Sequence, residues 1–299
     1  MPEPRGVKME YTIRSETLSA VAATMGGYLL SVKNNDGLEF MWQGDEKYWD
    51  GRSFQIFPYV GRLTEEKYCY RGREYQMGIH GFLLGSELQL VKHDEKSVHF
   101  RFASNSSTKK YYPFDFQYDL RYLLVGKCLT AEYSILNCGE DIMYFGMGFH
   151  PAFNIPLDNG YKYEDYILKF DESCSPVRIN MSGDCYVIGG VSDYPLEEGS
   201  KICLNHSLFD DDAIILTECS PKVSLYDKDS CHRIQMTFNG FEYLMIWSMP
   251  HTKAPFICIE PVTSLNARKD VIEEITKQTS LVTLEPQRYF KRSISMSFD

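Results

Sequence analysis

Apolar and polar residues alternate along much of this chain. Val98, Phe100 and Phe102 alternate with Ser97, His99 and Arg101, and Ile234, Met236 and Phe238 with Arg233, Gln235 and Thr237. Ile294, Met296 and Phe298 alternate in the same way with serines. A repeat of two puts successive side chains on opposite faces of an extended chain, so each segment predicts a half-buried β-strand. Tyr68-Cys-Tyr70 and Glu74-Tyr-Gln76, joined through Arg71-Gly72-Arg73, predict a hairpin turned at Gly72. Residues 92–96 and 227–230 are short polar turns between alternating segments and predict two more hairpin tips. Helical periodicity is scarce. Residues 267–277, rich in charge with Val271, Ile272 and Ile275 on one side, predict a helix, and residues 208–211 a short turn. No Pro/Gly/Ser linker, low-complexity tract or internal repeat interrupts the pattern. The expectation is a single all-β domain over residues 1–299, a large antiparallel β-sandwich of two sheets with very little helix.

The composition narrows the partners. The 299 residues include 21 tyrosines and 18 phenylalanines, which suit sheets, and a chain of this length can bury roughly 75% of its unfolded surface. A net charge of -10 with no basic run argues against nucleic acid or an anionic membrane, and a small neutral ligand fits better. The nine cysteines are spread evenly, with no Cys-x-x-Cys, which predicts reduced thiols in a cytoplasm. Residues 1–10 hold no apolar leader-like core, and no stretch approaches the ~18 apolar residues of a membrane span.

Three stretches carry the candidate chemistry. In Gly146-Met-Gly-Phe-His-Pro-Ala-Phe-Asn154, Pro151 biases His150 toward extended geometry, the two glycines permit close approach, and Phe149 and Phe153 supply apolar walls. Phe57-Pro-Tyr-Val-Gly-Arg62 runs on to Ile79-His-Gly-Phe82, which adds Arg62 and His80. Phe256-Ile-Cys-Ile-Glu-Pro261 is apolar until Glu260, with Pro261 expected to end the strand. A carboxylate held among hydrophobic neighbours becomes a stronger base, so Glu260 with His80 and His150 reads as an acid/base site. Glu260 paired to Arg62 in a purely structural ion pair is the alternative. Asp210, Asp211 and Asp212 form a run that is a solvated turn or offers a carboxylate to a polyol. Trp42, Trp49 and Trp247 are core residues or stack on a sugar face. His93, His99, His206, His232 and His251 read as surface residues, as does Glu285. There is no Gly-x-Ser-x-Gly elbow, no phosphate loop and no dinucleotide fingerprint.

Taken together and in order, these stretches resemble the aldose 1-epimerase (galactose mutarotase) family, in its branch of bacterial proteins similar to the product encoded in lactose operons. Gly26-Gly-Tyr-Leu-Leu-Ser31, Trp42-Gln-Gly-Asp45 with Trp49, Ile246-Trp-Ser-Met-Pro250 and the three stretches above carry the resemblance over nearly the whole chain. It implies a galactose mutarotase-type β-sandwich that needs no cofactor and acts on a sugar. It also implies Glu260 as general base, His150 as general acid, His80 and Arg62 in substrate-binding and supporting positions, and Asp210 or Asp212 on sugar hydroxyls. Trp247 is expected to stack on the sugar. The branch usually has tryptophan where this chain has Val262, and a Pro-x-Leu run where Phe54-Gln-Ile56 stands; both departures are expected at the sugar pocket. Competing readings are a sugar-binding or sensing protein without turnover, a metal protein using His80, His150 and Glu260, and a hexose-phosphate epimerase drawing on Arg52, Arg71 and Arg73.

Overall fold

The computed structural model describes residues 9–299 except Asn159, Ser230 and Cys231. Two large antiparallel sheets dominate. The first has nine strands in the order Lys201–Cys203, Tyr166–Phe170, Lys222–Asp227, Arg233–Thr237, Tyr289–Phe298, Cys128–Asn137, Phe116–Val125, Ser97–Ala103, Gln89–His93. Its central pair shows what the alternation does. Leu120, Tyr122 and Leu124 on one strand face Tyr133, Ala131 and Leu129 on the next, all buried, while the residues between them are half-buried.

The second sheet has eight strands and carries the site. Along its main path lie Val187–Asp193, Val177–Met181, Ile214–Thr217, Tyr243–Trp247, Phe256–Val262, Gly148–His150 and Phe54–Ile56; Ala152–Asn154 pairs with Phe256–Val262 beside that path. One face joins the main core between the sheets through Phe149, Ile214, Leu216, Leu244, Ile246, Ile257 and Ile259. Gln55 crosses that space and donates to the Tyr122 hydroxyl at 2.6 Å. On the other face Phe54, Ile215, Met245, Phe256 and Cys258 form smaller buried clusters. Phe256–Val262 is buried at every position, because a sheet covered on both faces loses the polar half of its alternation.

The hairpin at Gly72 and the one between Gln89–His93 and Ser97–Ala103 form as expected; the tip at residues 227–230 runs into Ser230, outside the described residues. The short turn appears as a 3₁₀ segment at His206–Phe209. Residues 267–277 do not form the expected helix; the span holds only a single 3₁₀ turn at Ile275–Lys277. Asp270 takes a left-handed φ of 57°, and Glu273–Glu274 pairs in parallel with Lys67–Tyr70. The buried Glu273 carboxylate accepts from the Arg268 backbone N–H and guanidinium, 2.9–3.0 Å away. That local carboxylate contact replaces helical hydrogen bonds.

Pro261 does not end its strand, which continues to Val262. Ile259 N donates to Pro151 O at 3.3 Å and Thr263 N to Met147 O at 2.9 Å, so bonds on both sides bracket the donor that proline lacks. Gly146 and Gly148 are needed for close approach to protein: an added Cβ would lie 2.0 Å from Ser264 Oγ at the first and 2.6 Å from Val262 Cγ1 at the second. Among the described residues, no helix is long and apolar enough to cross a membrane, and eight cysteines are free.

Candidate active site

A cavity of about 490 Å³ opens on the outer face of the eight-stranded sheet. Its floor is Glu260 and His150, both buried. Residues 258, 260 and 262 share the face turned away from the main core, and Gly148–His150 lies beside them, so neighbouring strands deliver the carboxylate and the imidazole to one spot. His150 Nε2 is 3.3 Å from Glu260 Oε1, and His150 Nδ1 has no protein partner. The Trp49 ring stacks on His150 at 5.3 Å between centroids and the Phe54 ring packs against it at 4.6 Å.

The wall containing His80 is built by two segments strapped side by side. Phe82 N and Leu83 N both donate to Phe57 O, and His80 N donates to Gly61 O at 3.0 Å. Gly81, at φ 78°, leaves no room for a side chain, since an added Cβ would lie 2.3 Å from Phe57 O. His80 itself is left-handed at φ 61°. Its Nδ1 accepts from Gly61 N–H at 3.3 Å. This contact fixes the tautomer with the proton on Nε2, leaving that N–H for a ligand. The His80 ring meets His150 edge-on at 5.4 Å.

Burial dominates the electrostatics. It pushes the Glu260 carboxyl well above the ordinary range, with nearby Asp212 adding to the effect. It pushes His150 well below the ordinary imidazole value, with His80 contributing second. His80 is lowered too, by burial first and by the Arg62 guanidinium second. The floor pair is therefore held toward carrying one proton between two neutral groups, because charges without solvation are costly.

Most of the expected residues converge here: Arg62, His80, His150, Asp212, Trp247 and Glu260 all line the cavity, as does Trp49. Asp210 does not. Its carboxylate accepts from His251 N at 3.3 Å and lies 3.2 Å from His251 Nδ1 on the surface. Trp42 is also elsewhere, packed 4.8 Å from Phe256. Val262 lies beneath Gly148 and is absent from the lining, whereas Phe54 is part of it. Arg62 makes no ion pair with Glu260; among the described residues it is the one arginine or lysine in the lining. Arg71 is bound to Asp141 at 2.7 and 2.8 Å, Arg73 lies over Tyr75 and Arg52 donates to Gln43 O, so none of them forms a phosphate cradle here. Of the histidines set aside as surface residues, His99 is half-buried and 2.6 Å from Asp119, and His206 is half-buried against Tyr163.

Sequence reasoning missed Asn266 and Cys185. Asn266 Nδ2 donates to Cys185 O at 2.5 Å, and its buried Oδ1 has no partner. Among the described residues, His150, Cys258 and Glu260 bring ligand atoms within 4.8 Å of one another and form the group that could hold a metal, in place of the expected set with His80. Burial pushes the Cys258 thiol well up, so it resists becoming the thiolate that binds metals.

The two sheets and a cavity set on the outer face of one of them define a galactose mutarotase-like β-sandwich. A galactose mutarotase related enzyme from Lactobacillus acidophilus superimposes with a TM-score of 0.93 at 30% identity, covering 97% of each chain. A galactose mutarotase-like protein from Lactobacillus casei gives 0.92 at 28% identity over 97% of this chain and 100% of that one. Protein LacX of Lactococcus lactis is 33% identical over 292 residues, 94% of this chain and 97% of its own length. The chain belongs to the aldose 1-epimerase family, whose model matches residues 9–297. Membership supports an epimerase kind of enzyme with a sugar substrate.

Proposed function

We propose that the protein is an aldose 1-epimerase that interconverts the α and β anomers of a neutral aldose by acid/base ring opening and closure. The observation that carries this reading is the buried Glu260–His150 contact of 3.3 Å at the floor of a sugar-sized cavity. Glu260 takes the proton from the anomeric hydroxyl while His150 gives one to the ring oxygen. The ring C–O bond breaks as the carbonyl forms. Rotation about the bond next to the aldehyde exposes its other face, and closure with the proton transfers reversed gives the other anomer.

The ionised pair this step needs and the neutral pair favoured by burial differ by one proton moved across the contact. Sugar hydroxyls in the cavity provide the solvation that favours the ionised form. His80 Nε2–H, Arg62 and Asp212 hold hydroxyls and orient the ring, and Trp49 and Trp247 offer apolar faces to its C–H side. Every step uses protein side chains, so the reading calls for no cofactor.

A hexose phosphate is a weaker fit, since among the described residues Arg62 is the one arginine or lysine in the lining. The hydrophobic core running from one large sheet to the other supports treating residues 1–299 as one domain. The free cysteines support a cytoplasmic setting. The test is the approach of freshly dissolved α-glucose and α-galactose to anomeric equilibrium, followed by polarimetry. Acceleration by the protein supports the reading; measurable sugar affinity with no acceleration would make it a binding protein.

A further inference from the structure

We infer that the outer face of the nine-stranded sheet, on the opposite side of the sandwich from Glu260, binds a small organic anion carrying two or more negative charges on phosphate or carboxylate groups. A cavity of about 710 Å³ lies there, a size that takes a metabolite. No residue lines both this cavity and the one at Glu260. The inference therefore stands apart from the proposed anomerase reading.

The strand register builds the floor. Arg101, Asp119, Ser134 and Lys291 stand opposite one another in a row across four strands, and His99, Arg121, Glu132 and Ser293 form the next row on the same face. On the central strands these positions alternate with buried core residues, so the two rows point outward. Neighbours in such a row are about 5 Å apart. The two serines are the short side chains of their rows, and the longer ones stand around the hollow they leave. Among the described residues, neither serine hydroxyl has a protein partner, so both are open to a ligand.

The charges around this hollow do not cancel. Arg101, Arg121, Lys291 and Arg292 face two carboxylates, Asp119 and Glu132, which leaves two positive charges in excess on a chain whose net charge is -10. Both carboxylates are already taken: Asp119 accepts from Arg101 Nε at 2.9 Å and Glu132 from Arg121 Nη1 at 3.1 Å. Among the described residues, Lys291 and Arg292 have no carboxylate partner. Arg292 is nevertheless held still. Its Nε donates to Gly240 O at 2.7 Å, its Nη1 donates to Lys291 O at 2.9 Å, and its guanidinium lies 4.3 Å from the centre of the Phe290 ring. Gly240 makes room for this, since an added Cβ would lie 2.6 Å from Arg292 Nε. A guanidinium fixed by neutral groups keeps its charge for a ligand and loses little freedom on binding one. An uncompensated cation pair beside open hydroxyls selects anions over neutral or cationic ligands.

Calorimetric titration of the full chain with inorganic pyrophosphate and, separately, with citrate tests the inference at about 20 mM and about 200 mM salt. The expected result is saturable one-to-one binding of at least one probe, weaker at the higher salt. Lys291→Gln and, separately, Arg292→Gln should weaken it roughly tenfold, the loss of one charge-assisted hydrogen bond. Lys110→Gln, which removes an exposed charge outside the cavity, should leave it within about twofold of the wild type. Glu132→Gln should tighten binding, because it removes a negative charge and releases Arg121; misfolding does not produce a gain. Binding with this pattern upholds the site, and the tighter probe tells phosphate from carboxylate chemistry. Binding of neither probe overturns the inference, as does binding that Lys291→Gln and Arg292→Gln leave unchanged. Equal weakening by Lys110→Gln also overturns it, since that marks a general effect of net charge.

Discussion

Replacing Gly61 by alanine tests how the His80 wall is built. Gly61 has φ 68°, and a Cβ there would sit 2.0 Å from Asn266 Oδ1 and 2.3 Å from Asn266 Cγ. The left-handed backbone costs an alanine about 1 kcal/mol. The overlap forces Asn266 away from Cys185 O, 2.5 Å from its Nδ2, and a buried hydrogen bond lost with an acceptor left unpaired costs about 2 kcal/mol more. Together these give about 3 kcal/mol, and at about 2 cal/mol/K of unfolding entropy per residue they lower Tm by roughly 5 °C. Gly72→Ala is the control. Its φ is 76°, but nothing lies within 4 Å of the added Cβ, so only the backbone cost of about 1 kcal/mol remains, or roughly 2 °C. Thermal melts of the two variants beside the wild type measure the difference. Gly61 also holds His80 through both of its backbone bonds, so anomerisation should fall in Gly61→Ala and stay unchanged in Gly72→Ala. Equal Tm losses in the two variants would refute the proposed Asn266 contact.

The pH–rate profile should have its acid limb below pH 6.5, the ordinary imidazole value, because the second proton must enter a buried His150 whose pKa is lowered. The singly protonated pair dominates from there upward until the raised Glu260 carboxyl gives up its proton; an acid limb at or above pH 6.5 contradicts the burial argument. His80→Asn should fold normally, since asparagine tolerates the left-handed φ of 61°, while kcat/KM drops roughly 10²-fold with the loss of the Nε2–H donor. Wild-type kcat/KM in this variant would remove His80 from the site. Gln55→Leu should change stability by no more than about 1 kcal/mol, because its Oε1 is already unpartnered and the Tyr122 hydroxyl keeps its bond to Gly27 O. A melt lowered by more than roughly 3 °C would show that the bond between the sheets matters more than this.

Much of the fold could be read from residue patterns, because alternation records which face of a strand meets a core. Phe116–Val125 and Cys128–Asn137 follow it throughout their lengths. The helix expected at residues 267–277 failed for a local reason: its charges and apolar side fit a helix, but the Glu273 carboxylate captures Arg268 and its backbone instead. Strand continuation through Pro261 depended on donors at residues 259 and 263, which the proline signal does not reveal.

In the site, His80, His150 and Glu260 were legible because each stands beside glycine or proline in an aromatic stretch. Choosing among Asp210, Asp211 and Asp212 was not possible from three identical neighbours; the left-handed φ of 70° at Asp212 accompanies its place in the cavity wall. Asn266 lies in a loop with no periodicity. What exposes it is its close contact with Gly61, a relation between residues 205 positions apart that no local pattern carries. Val262 marked a departure from the family pattern, yet it packs under Gly148 and leaves the cavity surface to Phe54.

The most direct test is anomer exchange of α-glucose and α-galactose measured by NMR with the wild type and with Glu260→Gln. Glutamine keeps the shape of the side chain and removes the group that accepts the proton. The expected result is fast exchange with the wild type and a rate lower by roughly 10² to 10⁴-fold in the variant, with an unchanged melt. Full activity in Glu260→Gln would contradict the assignment of Glu260 as the base.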